Sequence, residues 1–278
     1  MIKRILSVST ALLLCLPVFS QLGNLFIIGG GHKTDDLMRQ LIATAQINDK
    51  DYIAILPMSS AEPDTGYYYI KEDFAAVCKN KVINFNFTKN DISKTAWLDS
   101  VQNAKLIYIT GGDQSRFMDI VLHTAVQQAI KNAYKNGATI AGTSAGAAMM
   151  SYYMVTGNQL LGDTTYHSTF PKLWNGNIEI KEGLGLLDSA IIDQHFVARS
   201  RYNRMLTAIA QYPTLPCIGI DEGTAIIVHG NSAKVAGTSQ VIVFSHPENL
   251  RINNKGYIKF DDVKMSIYTD GDSFLLKQ

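Results

Sequence analysis

Two short segments of this chain carry the residue types of a serine hydrolase. Residues 142–146 read Gly-Thr-Ser-Ala-Gly, with Ser144 at the centre. An apolar run precedes them and an Ala- and Met-rich stretch follows, which is the strand–turn–helix setting that exposes a serine on a tight elbow. Residues 193–204 carry His195 and three arginines. A serine beside a histidine can act as a nucleophile, and arginines beside both can hold carboxylates. We therefore predict a serine hydrolase with a negatively charged substrate.

The nucleophile needs a base and a site for the negative charge that develops on the attacked carbonyl oxygen. The backbone N–H of Ala145, directly after Ser144, is one expected donor of this oxyanion hole. A second N–H can come from the glycine-rich turn at Gly112, because glycine lets the backbone approach a ligand closely. His195 is the preferred base among the six histidines, since it stands at a strand end with arginines after it.

The spacing leaves the acid that would orient His195 open. Glu222 lies in an Asp-Glu-Gly-Thr segment at the end of a predicted strand, where an ordinary polar turn is an equally good interpretation. Asp163, Asp193 and Asp221 are rivals for the same role. Asp163 would give the chain order serine, aspartate, histidine.

The arginines indicate the charge of the substrate. On a helix, Arg201 and Arg204 would lie about 60° apart on one flank, with Arg199 projecting elsewhere. The alternative is a solvated basic face. We favour carboxylate binding because the cluster follows His195 closely and contains only arginine, whose planar fork matches a carboxylate.

The first twenty residues have the pattern of a secretory signal peptide. Lys3 and Arg4 precede an apolar stretch, residues 5–19, that is short for a membrane span. Removal of residues 1–20 takes the formal net charge from +1 to −1. A nearly neutral chain does not indicate nucleic-acid binding, and we expect no membrane association after cleavage. Cys78 and Cys217 remain, and in an oxidising compartment they are able to pair.

Short apolar runs that alternate with helical patterns predict an α/β fold. Several runs are apolar throughout, as in strands buried on both faces, so we expect a three-layer sandwich with a mostly parallel central sheet. Residues 115–136 and 196–211 are predicted helices. A small antiparallel meander is predicted near the C-terminus, and residues 21–278 are interpreted as a single α/β hydrolytic domain. The turns at the carboxyl ends of the strands are the expected position of the site.

Several of these segments together resemble the cyanophycinase family of serine peptidases, which has a class I glutamine-amidotransferase-like fold. The resemblance rests on residues 24–31, 111–114, 142–147, 193–204 and 221–224. It implies a triad of Ser144, His195 and Glu222, and a substrate cleft lined by Gln114, Asp193, Gln194, Arg199, Arg201 and Arg204. It also implies a homodimer and no metal or organic cofactor. The family hydrolyses cyanophycin, a poly-aspartate with arginines attached through the β-carboxyl groups, and releases β-Asp-Arg dipeptides.

We therefore expect a periplasmic or secreted serine exopeptidase that binds acidic peptide or cyanophycin-like polymer. In this interpretation the arginines receive carboxylates and Asp193 receives a substrate guanidinium. An aspartyl or isoaspartyl dipeptidase and a catalytically silent acidic-peptide-binding protein are the alternatives. The glycine turn at residues 29–31, followed by His32, lacks the spacing of a dinucleotide site.

Overall fold

A computed structural model describes residues 22–277 of the chain, so the predicted signal peptide, residues 1–20, lies outside the described residues. The helices are α1 (Asp35–Ala45), α2 (Pro63–Ala75), α3 (Thr95–Gln102), α4 (Gln114–Val121), α5 (Ala125–Lys135), α6 (Ala145–Ala148) and α7 (Tyr202–Gln211). The first ten strands are β1 (Leu25–Ile28), β2 (Tyr52–Leu56), β3 (Lys81–Asn84), β4 (Leu106–Ile109), β5 (Thr139–Thr143), β6 (Tyr153–Gln159), β7 (Ile178–Glu182), β8 (Ile191–Gln194), β9 (Cys217–Ile220) and β10 (Thr224–His229). The last six are β11 (Ser232–Gly237), β12 (Val241–Glu248), β13 (Arg251–Ile252), β14 (Ile258–Lys259), β15 (Asp262–Tyr268) and β16 (Ser273–Leu275).

An eight-stranded sheet forms the centre of the molecule, in the order β16-β11-β10-β1-β5-β4-β2-β3. The five strands from β1 to β3 in that order run parallel, and the pairings β1–β10, β10–β11 and β11–β16 are antiparallel. Strands β1 and β4 are buried along their whole length, as their apolar sequences predict. The predicted α/β fold with a mostly parallel sheet is confirmed.

Helices cover both faces of this sheet. In β1, Phe26 and Ile28 face the core shared with α1 and α2, whereas Leu25 and Ile27 face the core shared with α3, α4 and α5. Successive strand residues point to opposite faces, so one short apolar strand supplies both cores. Within residues 22–277, no helix has the length and hydropathy needed to cross a bilayer.

A second sheet of four strands, in the order β15-β12-β9-β8, packs beside the first. Strands β8 and β9 are parallel, with Asp193 opposite Gly219. Ile192 and Ile218 of these strands join the core of the large sheet, while α7 covers the opposite face. The carboxyl ends of β8 and β9 thereby come to the same region as the carboxyl ends of β1 and β5.

Three helix predictions differ from the structure. The segment 115–136 forms two helices, because the chain turns at His123, whose φ is +59°. The helix after the serine elbow, for which the sequence predicts residues 145–153, ends at Ala148. The helix that was predicted to begin at residue 196 begins at Tyr202, which changes the geometry of the arginines.

The antiparallel C-terminal region is confirmed but larger than predicted, since the sequence predicts strands only at residues 234–237, 241–245 and 257–260, and β13, β15 and β16 were missed. The hairpin of β6 and β7 was also missed, because β6 mixes buried Met154 and Val155 with polar residues and does not alternate strictly. Cys78 and Cys217 are free thiols in the structure.

Candidate active site

Ser144 lies at a sharp turn between β5 and α6. Its backbone has φ +53° and ψ −112°, a strained conformation for any residue except glycine. A Cβ on Gly146 would lie 2.4 Å from the carbonyl oxygen of Ile109, so the elbow rests directly on β4. The turn therefore has the local structure that holds a serine hydroxyl at the end of a parallel sheet.

His195 follows β8 and contacts both Ser144 and Glu222. Its Nε2 lies 2.9 Å from Ser144 Oγ, and its Nδ1 lies 2.5 Å from Glu222 Oε1. The backbone N–H of His195 donates to the carbonyl of Gly29 at 2.7 Å, which ties this turn to the end of β1. With its proton on Nδ1, the ring donates to Glu222 and accepts from the serine hydroxyl, the arrangement of a nucleophile, a base and an orienting acid.

The glycine turn after β1 makes room for this pair. A Cβ on Gly30 would lie 2.3 Å from Cε1 of His195, and one on Gly31 would lie 2.7 Å from Cβ of Glu222. Any side chain at Gly30 would displace the imidazole from its position. Packing against His195 and Glu222 thus accounts for these glycines without a dinucleotide.

The surroundings of His195 favour its neutral form. Its side chain is 9% exposed, and burial lowers the pKa of His195 below its ordinary value. The positive charges of Arg199 and Arg201 lower this pKa further, while the hydrogen bond and charge of Glu222 raise it. A histidine with a lowered pKa is unprotonated near neutral pH and can accept a proton.

The rival acids have other partners. Both Asp163 and His167 are exposed, and the Asp163 carboxylate lies 3.7 Å from His167 Nε2. Asp221 accepts the backbone N–H groups of Val197 and Ala198 at 3.0 and 2.9 Å. Asp221 therefore fixes the turn that follows His195 instead of contacting its ring.

Asp193 is the centre of a buried ion cluster. Its side chain is 1% exposed, and its two oxygens accept Nε and Nη2 of Arg204. Arg201 Nη1 lies 3.4 Å from the same carboxylate and donates to the Gln194 carbonyl at 2.7 Å. Although burial raises it, the charges of Arg204 and Arg201 hold the pKa of Asp193 below its ordinary value. The expectation that Asp193 receives a substrate guanidinium is corrected, because its own arginines occupy both oxygens.

Arg201 and Arg204 lie together and Arg199 lies apart, as predicted, but only Arg204 is within a helix. Arg201 is the residue before the first helical turn of α7, Arg204 lies in that turn, and Arg199 is exposed in the preceding loop. Arg201 and Arg204, at 2% and 1% exposure, share the single charge of Asp193. The cluster therefore retains one positive charge in excess at a buried position.

A cleft of about 400 Å³ brings these groups together. Its lining includes the predicted residues Gly112, Gln114, Ser144, Gln194, Arg199, Arg201 and Arg204. Gln194 Oε1 lies 3.5 Å from Ser144 Oγ, a long contact. Gln114 donates to the carbonyls of Val155 and Thr156, so its amide also holds β6 against α4.

The opposite wall of the cleft was not predicted. It comes from the β6–β7 hairpin and its long connection, through Thr156, Asn158, Tyr166 and Lys181. The Tyr166 hydroxyl accepts Arg201 Nη2 at 3.1 Å. Burial raises the pKa of Tyr166, but the charges of Arg201 and Arg204 outweigh it and lower this pKa below its ordinary value. Thr156 and Asn158 are polar residues two positions apart, the spacing of one face of a strand, and this spacing was the sequence signal that could have indicated them. No sequence signal indicated Tyr166.

The backbone N–H groups of Gly112 and Ala145 are the two predicted oxyanion donors. Among the described residues 22–277, neither Gly112 N–H nor Ala145 N–H donates a hydrogen bond to another group. A Cβ built on Gly111 would lie 3.3 Å from Ser144 Cβ, which shows how closely this turn approaches the elbow. The N–H groups of the two predicted oxyanion donors, Gly112 and Ala145, are thus both unengaged.

Comparison with known proteins identifies the family of this chain. The model of Peptidase family S51 matches residues 25–236, which include every residue discussed above at the elbow, the histidine and the arginine cluster. The chain belongs to peptidase family S51. It is therefore a serine-type peptidase, and the resemblance noted in the sequence is confirmed.

Several proteins to which this chain is similar are cyanophycinases. The chain is 31% identical over 239 residues to the cyanophycinase of Nostoc sp. strain PCC 7120, a match that covers 82% of this chain and 76% of that protein. It is 29% identical to the cyanophycinase of Geminocystis herdmanii, covering 78% and 72% of the two chains. A peptidase from an acI-B1 Actinobacterium has the same fold, with a TM-score of 0.66 at 20% identity, over 92% of this chain and 98% of that one.

Proposed function

We propose that this S51 peptidase hydrolyses aspartyl peptide bonds in cyanophycin-like polymer and releases β-Asp-Arg dipeptides, with Ser144, His195 and Glu222 as its triad. One observation carries the proposal. The cleft that contains Ser144 also contains a buried arginine cluster with one positive charge in excess. A buried charge without a partner is costly, so an anionic group of the substrate stabilises it.

The first half of the reaction forms an acyl-enzyme. His195 Nε2 takes the hydroxyl proton of Ser144 as Oγ attacks the carbonyl carbon of an aspartyl residue. The N–H groups of Gly112 and Ala145 stabilise the negative oxygen of the tetrahedral intermediate. The C–N bond then breaks, and the imidazolium gives its proton to the leaving amine.

The second half releases the acyl group. His195 takes a proton from water, and the hydroxide attacks the ester carbonyl. Collapse of the second intermediate breaks the bond to Ser144 Oγ, which regains its proton from His195. Glu222 holds Nδ1 of the ring and stabilises the imidazolium in both halves. The reaction consumes one water for each bond cleaved and transfers no electrons, so no redox partner is needed.

The polymer supplies the anions that the cleft requires. An arginine that is attached through its amino group keeps a free carboxylate, so every repeat carries one. Arg199 is exposed at the cleft and offers a whole guanidinium fork, whereas Arg201 and Arg204 act mainly through their excess charge. Tyr166 and the β6–β7 hairpin line the opposite wall and thereby limit the width of the cleft.

A comparison of substrates tests the proposal. The enzyme is incubated with cyanophycin, with a β-Asp-Arg oligomer, and with free β-Asp-Arg and α-Asp-Arg dipeptides, and the products are identified by mass. We expect β-Asp-Arg from the first two and no cleavage of the free dipeptides. Cleavage of dipeptides alone would establish the dipeptidase alternative. Absence of both turnover and labelling of Ser144 by a fluorophosphonate would establish the binding-protein alternative.

We also propose that residues 1–20 direct export and that the enzyme acts as a homodimer in the periplasm or outside the cell. The basic start and short apolar core support export, and the family resemblance supports the dimer. Mass spectrometry of protein from the native host should find an N-terminus at or near residue 21. An intact Met1 in a cytoplasmic fraction would contradict export, and a monomeric mass in solution would contradict the dimer.

A further inference from the structure

The turn that carries Gly112 is built around a buried serine from a neighbouring strand. Ser59 is 0% exposed and follows β2, which lies next to β4 in the parallel sheet. Its hydroxyl oxygen lies 2.7 Å from the Thr110 carbonyl oxygen and 3.0 Å from the Gly111 carbonyl oxygen. One side chain thus contacts two successive carbonyl groups directly before Gly112.

The backbone of Ser59 holds the other side of the same turn. Its carbonyl oxygen accepts the N–H of Asp113 at 2.8 Å and Nη1 of Arg116 at 2.8 Å. Gly112 has φ +138°, and a Cβ there would lie 2.2 Å from the Ser59 carbonyl oxygen. The turn is therefore folded closely over Ser59, and it is fixed both before and after Gly112.

We propose that Ser59 is a positioning residue that aims the Gly112 N–H into the oxyanion hole. This inference rests on the catalytic role proposed for Ser144. Ser59 does not line the cleft, so it acts only through the turn. A backbone N–H has no rotamer of its own, and its direction is set by the peptide groups around it. The hydroxyl of Ser59 contacts the carbonyl of the peptide group that carries the Gly112 N–H and the carbonyl of the peptide group before it.

The proposal gives β2 a function that the cleft does not reveal. Among the described residues, the lining of the cleft includes none from β2 or the loop that follows it. The parallel order β5-β4-β2 nevertheless brings the ends of three strands into one row. The turn after β5 supplies the nucleophile Ser144, and the turn after β4 supplies the oxyanion donor, the Gly112 N–H. The loop after β2 supplies Ser59, which holds this donor in position.

Ser59→Ala is the decisive variant, with Ser151→Ala as its matched control. Ser151 is also 0% exposed, but its hydroxyl has no hydrogen-bond partner, so the control removes the same atom without releasing a turn. For Ser59→Ala we expect kcat to fall about 10- to 100-fold with KM nearly unchanged, because a displaced oxyanion donor weakens only the transition state. The Ki of a peptidyl boronate, which forms a tetrahedral adduct with Ser144, should rise by a similar factor.

The binding of a ground-state ligand separates this role from a merely structural one. The affinity for the product β-Asp-Arg should be the same in Ser59→Ala and in the unmodified enzyme. An equal loss of boronate and product affinity, or a kcat within twofold of the unmodified enzyme, would overturn the proposal. If Ser59→Ala does not fold, Ser59→Cys decides, since its weaker donor should give an intermediate kcat.

A second substrate separates this proposal from the proposed function. The same variants are measured with a small activated ester that needs the oxyanion hole but no carboxylate site. If the unmodified enzyme hydrolyses the ester and not the polymer, the proposed substrate is wrong, while the ester rate of Ser59→Ala still tests the positioning role. If both substrates are hydrolysed and Ser59→Ala slows neither, only the role of Ser59 is wrong.

Discussion

The two sheets contribute different kinds of group to the same cleft. The large sheet provides Ser144 and two backbone N–H groups, on turns that follow β4 and β5. The small sheet provides charge, through His195 and the arginine cluster after β8 and through Glu222 after β9. One side of the site is built from backbone and glycine, and the other from ionisable side chains that are paired but keep one positive charge in excess.

This division leads us to expect that the two sides respond differently to substitution. The serine elbow is fixed by local backbone geometry, so removal of its hydroxyl leaves the turn intact. The Asp193 cluster is buried, and each charge in it depends on a partner for its stability. We therefore expect substitutions on the large-sheet side to change turnover alone, and those in the small-sheet cluster to change stability as well.

Ser144→Ala should have the largest effect on activity. Removal of a serine nucleophile typically lowers kcat by about 10⁴- to 10⁶-fold, and the residual rate comes from binding and the oxyanion hole. The melting temperature should be unchanged or higher, because the strained elbow loses no packing contact. Steady-state kinetics and thermal unfolding check both statements. A turnover near that of the unmodified enzyme would contradict the mechanism.

Glu222→Gln should follow, with a loss of about 10⁴-fold in kcat, because the imidazolium loses its charged partner and the ring its fixed tautomer. Asp163→Asn is the control, since Asp163 is exposed and contacts His167. A larger loss of kcat in Asp163→Asn than in Glu222→Gln would assign the orienting role to Asp163. It would also show that the contact between Glu222 and His195 is not functional.

Asp193→Asn should destabilise the protein by about 3–5 kcal/mol, the usual result when one partner is removed from a buried ion pair. The guanidinium groups of Arg201 and Arg204, each less than 3% exposed, would then have no carboxylate beside them. Chemical denaturation measures this loss. A loss in the free energy of unfolding below about 0.5 kcal/mol, as expected for an exposed carboxylate, would show that the Asp193 cluster is hydrated. The large-sheet and small-sheet sides of the site would then not differ in their effect on stability.

Arg199→Ala should weaken polymer hydrolysis by about 10- to 150-fold in kcat/KM, since a charged hydrogen bond contributes roughly 1.5–3 kcal/mol. Arg199→Lys should recover part of this, because lysine keeps the charge and loses the fork. Arg199 is exposed, so neither variant should alter stability. Equal rates for all three proteins would assign Arg199 to a solvated surface.

The pH profile should show the smallest effect. Because burial lowers the pKa of His195, the acid limb of kcat/KM should have its midpoint below the ordinary value of about 6.5. Glu222→Gln should move the midpoint lower, since Glu222 raises this pKa, and Arg199→Ala should move it higher. A midpoint above 6.5 in the unmodified enzyme would contradict the effect of burial.

Sequence pattern over a few neighbouring residues was sufficient to predict the parts of the site that are formed by the backbone. The elbow at Ser144, the glycine turn at Gly112 and the apolar strands could all be predicted, because each depends on residues within a few positions of one another. The histidine was also predicted, since it follows a buried strand with charged residues after it. These features account for the fold class and for the wall of the cleft that carries Ser144, whereas the wall formed by the β6–β7 hairpin and its connection was not predicted.

Only the tertiary structure decided how the acids are used. Asp193, Asp221 and Glu222 all stand at the carboxyl ends of β8 and β9, and spacing could not separate them. The register of the two strands, with Asp193 opposite Gly219, and the turn at His195, where φ is +48°, direct the ring toward Glu222. The late start of α7 turns two arginines inward onto Asp193. Each of these pairings depends on packing between distant segments, because a carboxylate selects its partner by position in space and not by distance along the chain.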